Sequence, residues 1–199
     1  MKVLLIGAMI VCAGFFVGCL TPEDIPQTTV QEAFPLTIGS HWTYATYDTA
    51  TSQRDTVVVT VDQSTVSSTG DTTYQCTYRH RSRTDTSYVK VKNDTVVFAT
   101  DETPPVNFIL PFLSVSTWKY GQQYAVAIMS IGPDTVPSGP YAETVHIQEQ
   151  SLLPNDLSHY DYWIAPGVGV VEFYDRTFIT VSNTIHKKSW LLLSYFIAG

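Results

Sequence analysis

The sequence has little charge and few cysteines. Asp, Glu, Lys and Arg make up only 15% of its 199 residues, and there are three cysteines. Basic residues are fewer than acidic ones, 11 against 18, so the formal net charge is −7 at pH 7. An acidic chain lacks the basic surface that nucleic acid requires, so we expect no nucleic-acid partner. The chain is nevertheless 44% hydrophobic, which is too apolar for a disordered protein.

A long hydrophobic run is missing everywhere except at the N-terminus. There, Lys2 precedes an apolar stretch over 3–17, which is shorter than the roughly 20 residues that span a bilayer. Gly18 and Cys19 follow it. This pattern predicts a bacterial lipoprotein signal peptide over residues 1–18 and lipidation of Cys19. Because several acyl chains hold a protein stably on a bilayer, we expect the membrane to be a partner through Cys19.

The segment after the lipidated cysteine has two prolines and no periodicity. We therefore interpret residues 19–33 as a lipidated flexible tether and 34–199 as one domain. Leu20, rather than Asp, follows Cys19 and favours the outer membrane, on either its periplasmic or its surface face. Removal of residues 1–18 takes away Lys2 and no acid, leaving 10 basic and 18 acidic residues and a net charge of −8.

The cysteines exclude an intramolecular disulfide in the mature chain. Cys12 leaves with the signal peptide and Cys19 is lipidated, so Cys76 remains alone. Cys76 alternates with Tyr74 and Tyr78, which predicts a buried thiol on a strand rather than a reactive nucleophile.

From residue 41 onward, the pattern is that of β-strands. Val57, Val59 and Val61 alternate with polar residues, as in a half-buried antiparallel strand. The predicted strands are 54–63, 72–81, 86–92, 95–100, 122–131, 141–149, 159–165, 168–175, 177–182 and 187–197. This predicts an all-β domain of about ten strands, with a single curved antiparallel sheet forming a half-open barrel or a sandwich. Turns are predicted at Asn93-Asp94, between two strands, and at Pro166-Gly167, where Gly167 supplies a positive φ at the second central position. A short helix around 104–114 is an alternative for that segment, although its prolines oppose it.

Two segments of the chain are similar to each other. Residues 34–44 align with 110–120 at an offset of 76, which matches Trp42 with Trp118. The glycine at position 39 is replaced by Val115 in the second copy. The pair suggests two related half-sheets in one domain.

Four motifs occur in order along the chain: the lipobox ending at Cys19, the duplicated Pro-Leu-x-x-Gly-x-x-Trp-x-Tyr segment, residues 136–141 and residues 162–171. Together they resemble a family of bacterial cell-envelope lipoproteins of unknown function. The resemblance implies a strongly curved sheet, similar to that of the periplasmic lipoprotein carriers, which hold acyl chains in a half-open barrel.

Catalytic motifs are absent from the sequence. It has no Gly-x-Ser-x-Gly elbow, and its five histidines lack metal-ligand spacing. His159 and Asp161 share a face of a predicted strand and could orient a general base, but no nucleophile accompanies them. We expect no catalytic residue, no metal and no cofactor.

These observations favour a non-enzymatic binding or structural module that holds an apolar ligand in the concavity of its sheet. The candidate ligand-binding residues are the aromatics Trp42, Trp118 and Trp163. One alternative is a surface adhesion module for glycan or protein partners. A less favoured alternative is an envelope hydrolase that uses His159 and Asp161. The ligand and the oligomeric state stay open.

Overall fold

The computed structural model describes residues 29–99, 106–110, 112, 117–120, 123–154, 156–179 and 184–199. It contains one short helix, α1 (Val30–Ala33), and twelve strands. The strands are β1 (His41–Asp48), β2 (Gln53–Val66), β3 (Thr72–Arg79), β4 (Thr84–Lys92), β5 (Thr95–Ala99), β6 (Val106–Ile109), β7 (Thr117–Tyr120), β8 (Tyr124–Val136), β9 (Gly139–Ser151), β10 (His159–Ala165), β11 (Gly169–Ile179) and β12 (Thr184–Phe196). No described helix is long and apolar enough to cross a membrane.

All twelve strands belong to one antiparallel sheet, in the order β6-β5-β4-β3-β2-β1-β12-β11-β10-β9-β8-β7. The sheet is therefore two six-stranded meanders joined side by side. The seam between them is the pairing of the first strand, β1, with the last, β12. Among the described strands, β6 and β7 lie at the two ends of the order and are not paired with each other, so the sheet is not closed.

The alternation of apolar side chains decides which face of each strand points inward. Val57, Val59 and Val61 of β2 are buried on the inner face, whereas Val58 and Thr60 between them point outward. Two-residue periodicity of this kind is what a pleated strand with one buried face requires. The predicted all-β class and the single curved antiparallel sheet are confirmed.

The sheet curls until distant strands meet across its interior. Phe108 of β6 contacts Tyr162 of β10, with ring centroids 5.2 Å apart. These strands are eight positions apart in the sheet, which would separate them by about 38 Å if the sheet were flat. On the other side, Ser138 in the turn between β8 and β9 donates its backbone N–H to the carbonyl of Leu192 in β12 (2.9 Å).

The N-terminal segment closes one end of this curled sheet. A capping box between Thr29 and Glu32 starts α1, and the carbonyl of Glu32 accepts from the N–H of Gly167. Ala33 is fully buried, and Phe34 packs on three phenylalanine rings. The tether was predicted to extend to residue 33, but residues 29–33 pack on the domain. The signal peptide, Cys19 and residues 19–28 lie outside the described residues.

Some predicted elements differ from the structure. The described residues form twelve strands rather than ten: β1 and the short strands β6 and β7 were not counted, and two predicted strands are one. The possible helix around 104–114 is wrong for Val106–Ile109, which form β6 against β5. The strands predicted at 168–175 and 177–182 are one strand, β11, because Asp175 and Arg176 pair across to lysines of β12 without breaking the ladder.

Turns were predicted where residue chemistry requires them. Lys92 and Thr95 face each other across the two-residue loop Asn93-Asp94, with φ of 50° at Asn93. Gly167 has φ of 74° in the turn after Pro166, as predicted for the second central position.

We expect Phe34→Ala to lower the free energy of unfolding by about 3–5 kcal/mol, because the Phe34 ring packs against Phe98, Phe108 and Phe112 and its removal leaves a cavity. Urea unfolding followed by tryptophan fluorescence measures the change. Phe196→Ala is the matched control, since Phe196 is 54% exposed, and it should change stability by less than ~1 kcal/mol. Equal effects of the two substitutions would contradict the role of Phe34 in closing the sheet.

Candidate functional site

The curled sheet encloses a cavity of about 350 Å³ on its inner face. The strands run between two ends of the molecule. We call the end that carries α1 and residues 34–40 the closed end, and the end that carries the turn at 80–83 the open end. The cavity extends between them along the seam of β1 and β12, so its lining changes in character from one end to the other.

The closed end of the cavity is apolar. Its lining there includes Phe34, Pro35, Leu36, Trp42, Phe98 and Phe108. Trp42 of β1 links to the turn before β11 at this end, because its indole Nε1 donates to the buried carbonyl of Val168 (2.6 Å). Gly169 also lies against Trp42 and Pro35, with φ of 96°, a value that L side chains rarely adopt.

An aromatic wall forms the middle of the cavity. Trp190 of β12 contacts Tyr44 and Tyr78 edge-on, with ring centroids 5.8 Å and 6.3 Å away. Tyr44 donates its hydroxyl to the carbonyl of Val170 (2.8 Å). Burial raises the pKa of both tyrosines, so their hydroxyls stay protonated and the wall carries no charge.

The open end of the cavity is polar, and its charges occur in pairs. Arg83 donates from Nε to Asp85 (2.7 Å), and the Nε2 atom of His80 lies 3.3 Å from the same carboxylate. On the opposite side, Asp175 faces Lys188 across the β11–β12 ladder. Among the side chains that line the cavity, these two carboxylates and two cations balance, so the lining of the mouth is polar without an excess of either.

Asp175, at the mouth of the cavity, has a raised pKa because its carboxylate is buried. The hydrogen bond from the Thr177 hydroxyl (2.7 Å) and the positive charge of Lys188 lower the pKa but do not cancel the effect of burial. The charged form is therefore less favourable in the folded protein than in the unfolded chain.

The size of the cavity limits what it can hold. A cavity of roughly 150 Å³ accommodates one benzene molecule, which has six heavy atoms. By that ratio, 350 Å³ accommodates about 14 heavy atoms. That is the volume of a single medium-length hydrocarbon chain and much less than that of a diacyl phospholipid.

Comparison with known proteins supports the fold. No protein-family model matches the sequence, and no curated protein matches it. A crystal structure of a protein classed as a lipoprotein from Parabacteroides distasonis is similar, with a TM-score of 0.53 and 15% sequence identity, covering 85% of this chain and 99% of that chain. An exported protein with a YmcC-like fold from Bacteroides fragilis has a TM-score of 0.49 and 11% identity, covering 80% of this chain and 96% of that chain. At such identity, the first likeness shows a shared fold and nothing about activity.

The three predicted ligand-binding tryptophans are not brought together. Trp42 lines the cavity. Trp118 is buried in β7, outside the cavity lining. Trp163 lies on the outer face, stacked on His146 at 4.1 Å between ring centroids. Trp42 lies in the first strand of one six-stranded meander and Trp118 lies in the first strand of the other, which is the arrangement expected of two related half-sheets.

His159 and Asp161 do share a face, as predicted, but it is the outer one. The Oδ1 atom of Asp161 lies 3.0 Å from His146 Nε2 and accepts from the Gln148 amide (3.1 Å). Its Oδ2 atom lies 3.7 Å from His159 Nε2 and 3.8 Å from Arg176. The carboxylate is thus buried among its neighbours, away from the cavity. The described residues bring together no group of three His, Cys, Asp or Glu that could hold a metal ion.

Several residues of the cavity had no signal in the sequence. Phe34, Trp190 and Lys188 come together only because β1 pairs with β12 and the N-terminal segment folds across the closed end. The alternation around Cys76 did place its thiol on the buried face, next to Tyr78.

We expect Cys76 to be unreactive in the folded protein, because burial raises its pKa to about 12 and only the thiolate is a nucleophile. In mature protein carrying Cys19→Ser, Cys76 is the remaining thiol. Reaction with 5,5′-dithiobis(2-nitrobenzoic acid) at pH 8 should be at least ~100-fold slower in buffer than in urea. Similar rates under the two conditions would show an accessible thiolate.

We expect Asp175→Asn to make the protein more stable at pH 7. The raised pKa means that ionised Asp175 costs folding free energy above its folded pKa, and that this cost disappears as the pH falls and the carboxyl protonates. Denaturant unfolding at pH 7 and in mild acid measures the difference between variant and parent, which should shrink in acid. A variant less stable than the parent at pH 7 would instead make the Asp175–Lys188 pair a net stabilising contact.

Proposed function

We propose that this chain is a lipid-anchored protein of the bacterial cell envelope, attached through Cys19, and that it binds a small amphiphile without catalysing a reaction. The ligand is a molecule with one hydrocarbon chain and an uncharged or zwitterionic polar group. The chain lies along the closed end and the aromatic wall, and the polar group lies at the open end.

The cavity's change from apolar to polar lining carries this proposal. Ligand pockets are typically apolar with a few polar groups that fix orientation. Here Trp42, Phe98 and Phe108 surround the deep part, while Asp85, Arg83 and Lys188 surround the mouth. A filled β-sheet core would need neither the space nor the paired charges at one end of it.

Unfilled space inside a protein also has an energetic cost. Buried cavities destabilise proteins by about 24 cal/mol per Å³ where the surroundings do not collapse. Large side chains such as Trp190 and Tyr78 already border this cavity, yet they leave it open. A ligand that occupies the space regains the lost apolar contacts, which favours a binding role over a purely structural one.

The end at which the chain enters the domain fits a role in exchange. The chain enters the domain through Thr29 and α1 at the closed end, whereas the polar mouth is at the open end. A ligand can therefore enter and leave at the end of the domain opposite to the tether. The similar structure from Parabacteroides distasonis is itself classed as a lipoprotein, which supports the envelope location.

A pair of adjacent residues tests this function. Val59 lines the cavity and Val58 points to the outer face of the same strand. We expect Val59→Phe to weaken binding of the zwitterionic single-chain amphiphile dodecylphosphocholine, followed below its micellar concentration by isothermal titration calorimetry, by roughly tenfold or more, because the ring occupies the space of several methylene groups. Val58→Phe adds the same atoms outside the cavity and should change binding by less than about twofold.

The titration uses mature protein with Cys19→Ser, so that no covalent acyl chain competes for the cavity. Circular dichroism on both variants reports whether either substitution disturbs the sheet. Saturable binding to the parent that both variants retain would place the probe elsewhere, and no binding to the parent would remove the proposal.

A further inference from the structure

The loop between β9 and β10 presents three leucines to solvent at the open end. Leu152 and Leu153 are each 44% exposed, and Leu157 is 64% exposed. The loop is held in place by its backbone: Ser151 donates to the carbonyl of Ser158 (3.1 Å), and Leu152 donates to that of Gln123 (2.7 Å). We call Leu152, Leu153 and Leu157 the leucine loop. Exposed apolar side chains that lie close together mark an interaction site more often than scattered ones do.

Two cations lie beside the leucine loop, at the same end of the sheet. Arg176 of β11 and Lys187 of β12 are direct partners in the ladder, so two like charges face each other on the outer face. Like charges in this arrangement destabilise a sheet unless another charge compensates them. Arg176 is drawn toward Asp161 at 3.8 Å and donates to His159 (3.2 Å), while Lys187 is exposed. The pair is suited to an anionic partner from outside.

The leucine loop itself carries one acid, Asp156, whose carboxylate accepts from the backbone N–H of Ser158 (2.9 Å). Other acids, including Asp62, Asp94 and Glu143, lie at the closed end, about a strand length from the leucine loop. The Debye length at physiological ionic strength is about 8 Å, and a seven-residue strand such as β10 is about 23 Å long. The acids at the closed end are therefore screened from a charged surface that approaches the open end.

We propose that the open end docks on a lipid bilayer, with the leucine loop inserted among the headgroups and Arg176 and Lys187 on lipid phosphates. Peripheral binding of this kind combines buried apolar area with attraction to anionic lipid. The mouth of the cavity is at the same end, so docking brings the mouth to the membrane from which an amphiphile can be taken or to which it can be given. The inference goes beyond ligand binding and can hold even if the cavity stays empty.

Vesicle sedimentation tests the docking. The mature chain with Cys19→Ser is mixed with vesicles of phosphatidylethanolamine and phosphatidylglycerol, because the lipidated protein would bind through its anchor. We expect Leu157→Ser to weaken binding by roughly tenfold, and Arg176→Gln with Lys187→Gln to weaken it by about 25-fold. Replacing phosphatidylglycerol with phosphatidylcholine should weaken binding of the parent and abolish the effect of the charge substitutions.

Matched substitutions at the closed end are the controls. Ile38 is 52% exposed there, and Ile38→Ser removes a comparable apolar side chain. Lys90→Gln with Lys92→Gln removes two cations near the closed end of β4. Both controls should bind vesicles as the parent does. Thermal unfolding of every variant checks that the fold is retained.

Two results would overturn the proposal. One is a parent protein that does not sediment with vesicles containing phosphatidylglycerol. The other is equal loss of binding in the open-end and closed-end variants, which would mean non-specific adsorption. Binding of dodecylphosphocholine by the same variants distinguishes docking from ligand binding. The docking variants should still bind this amphiphile, and Val59→Phe should still sediment with vesicles.

Discussion

The pairing of the first strand with the last is the contact on which the rest of the structure depends. β1 and β12 join two six-stranded meanders into one sheet, although Trp42 and Tyr195 are more than 150 positions apart in the chain. Without this seam each meander would expose the apolar face that it buries against the other. Pairing of such distant strands is slow to form, because loop closure must precede any stabilising contact. The N-terminal segment then closes one end, where Phe34 fills the space that the curled sheet leaves.

The cavity follows from this arrangement. The seam places Tyr44 beside Trp190 in the middle of the two strands and Asp48 beside Lys188 near the open end. Aromatic contacts therefore lie deeper in the cavity than the charges. The closed end is lined by apolar side chains, while the open end carries paired charges, and this gradient is the feature on which the proposed binding of an amphiphile rests. The outer face has a different character, since Asp161 is buried there among His146 and Gln148 and takes no part in the cavity.

The sequence predicted what depends on neighbouring residues. Alternation at Val57 and Val59 predicted a half-buried strand, and Pro166-Gly167 predicted a turn because few residues adopt the required backbone angles. It did not predict the seam, because no local pattern specifies which strand pairs with β1. The sequence also could not tell which candidate tryptophan lines the cavity. Trp42 does, whereas Trp163 lies on the outer face, because Tyr162, one residue earlier, points inward to Phe108. Short edge strands such as β6 lie in segments too brief to show a period.

The most direct test of the cavity's role is native mass spectrometry of the mature chain with Cys19→Ser, purified from bacterial envelopes without detergent. The account predicts a bound species at one per chain, small enough for about 14 heavy atoms of hydrocarbon within the cavity, and its loss when the protein is denatured. A bare protein mass that remains unchanged after incubation with single-chain amphiphiles would contradict the account and leave the cavity as unfilled space in a structural domain.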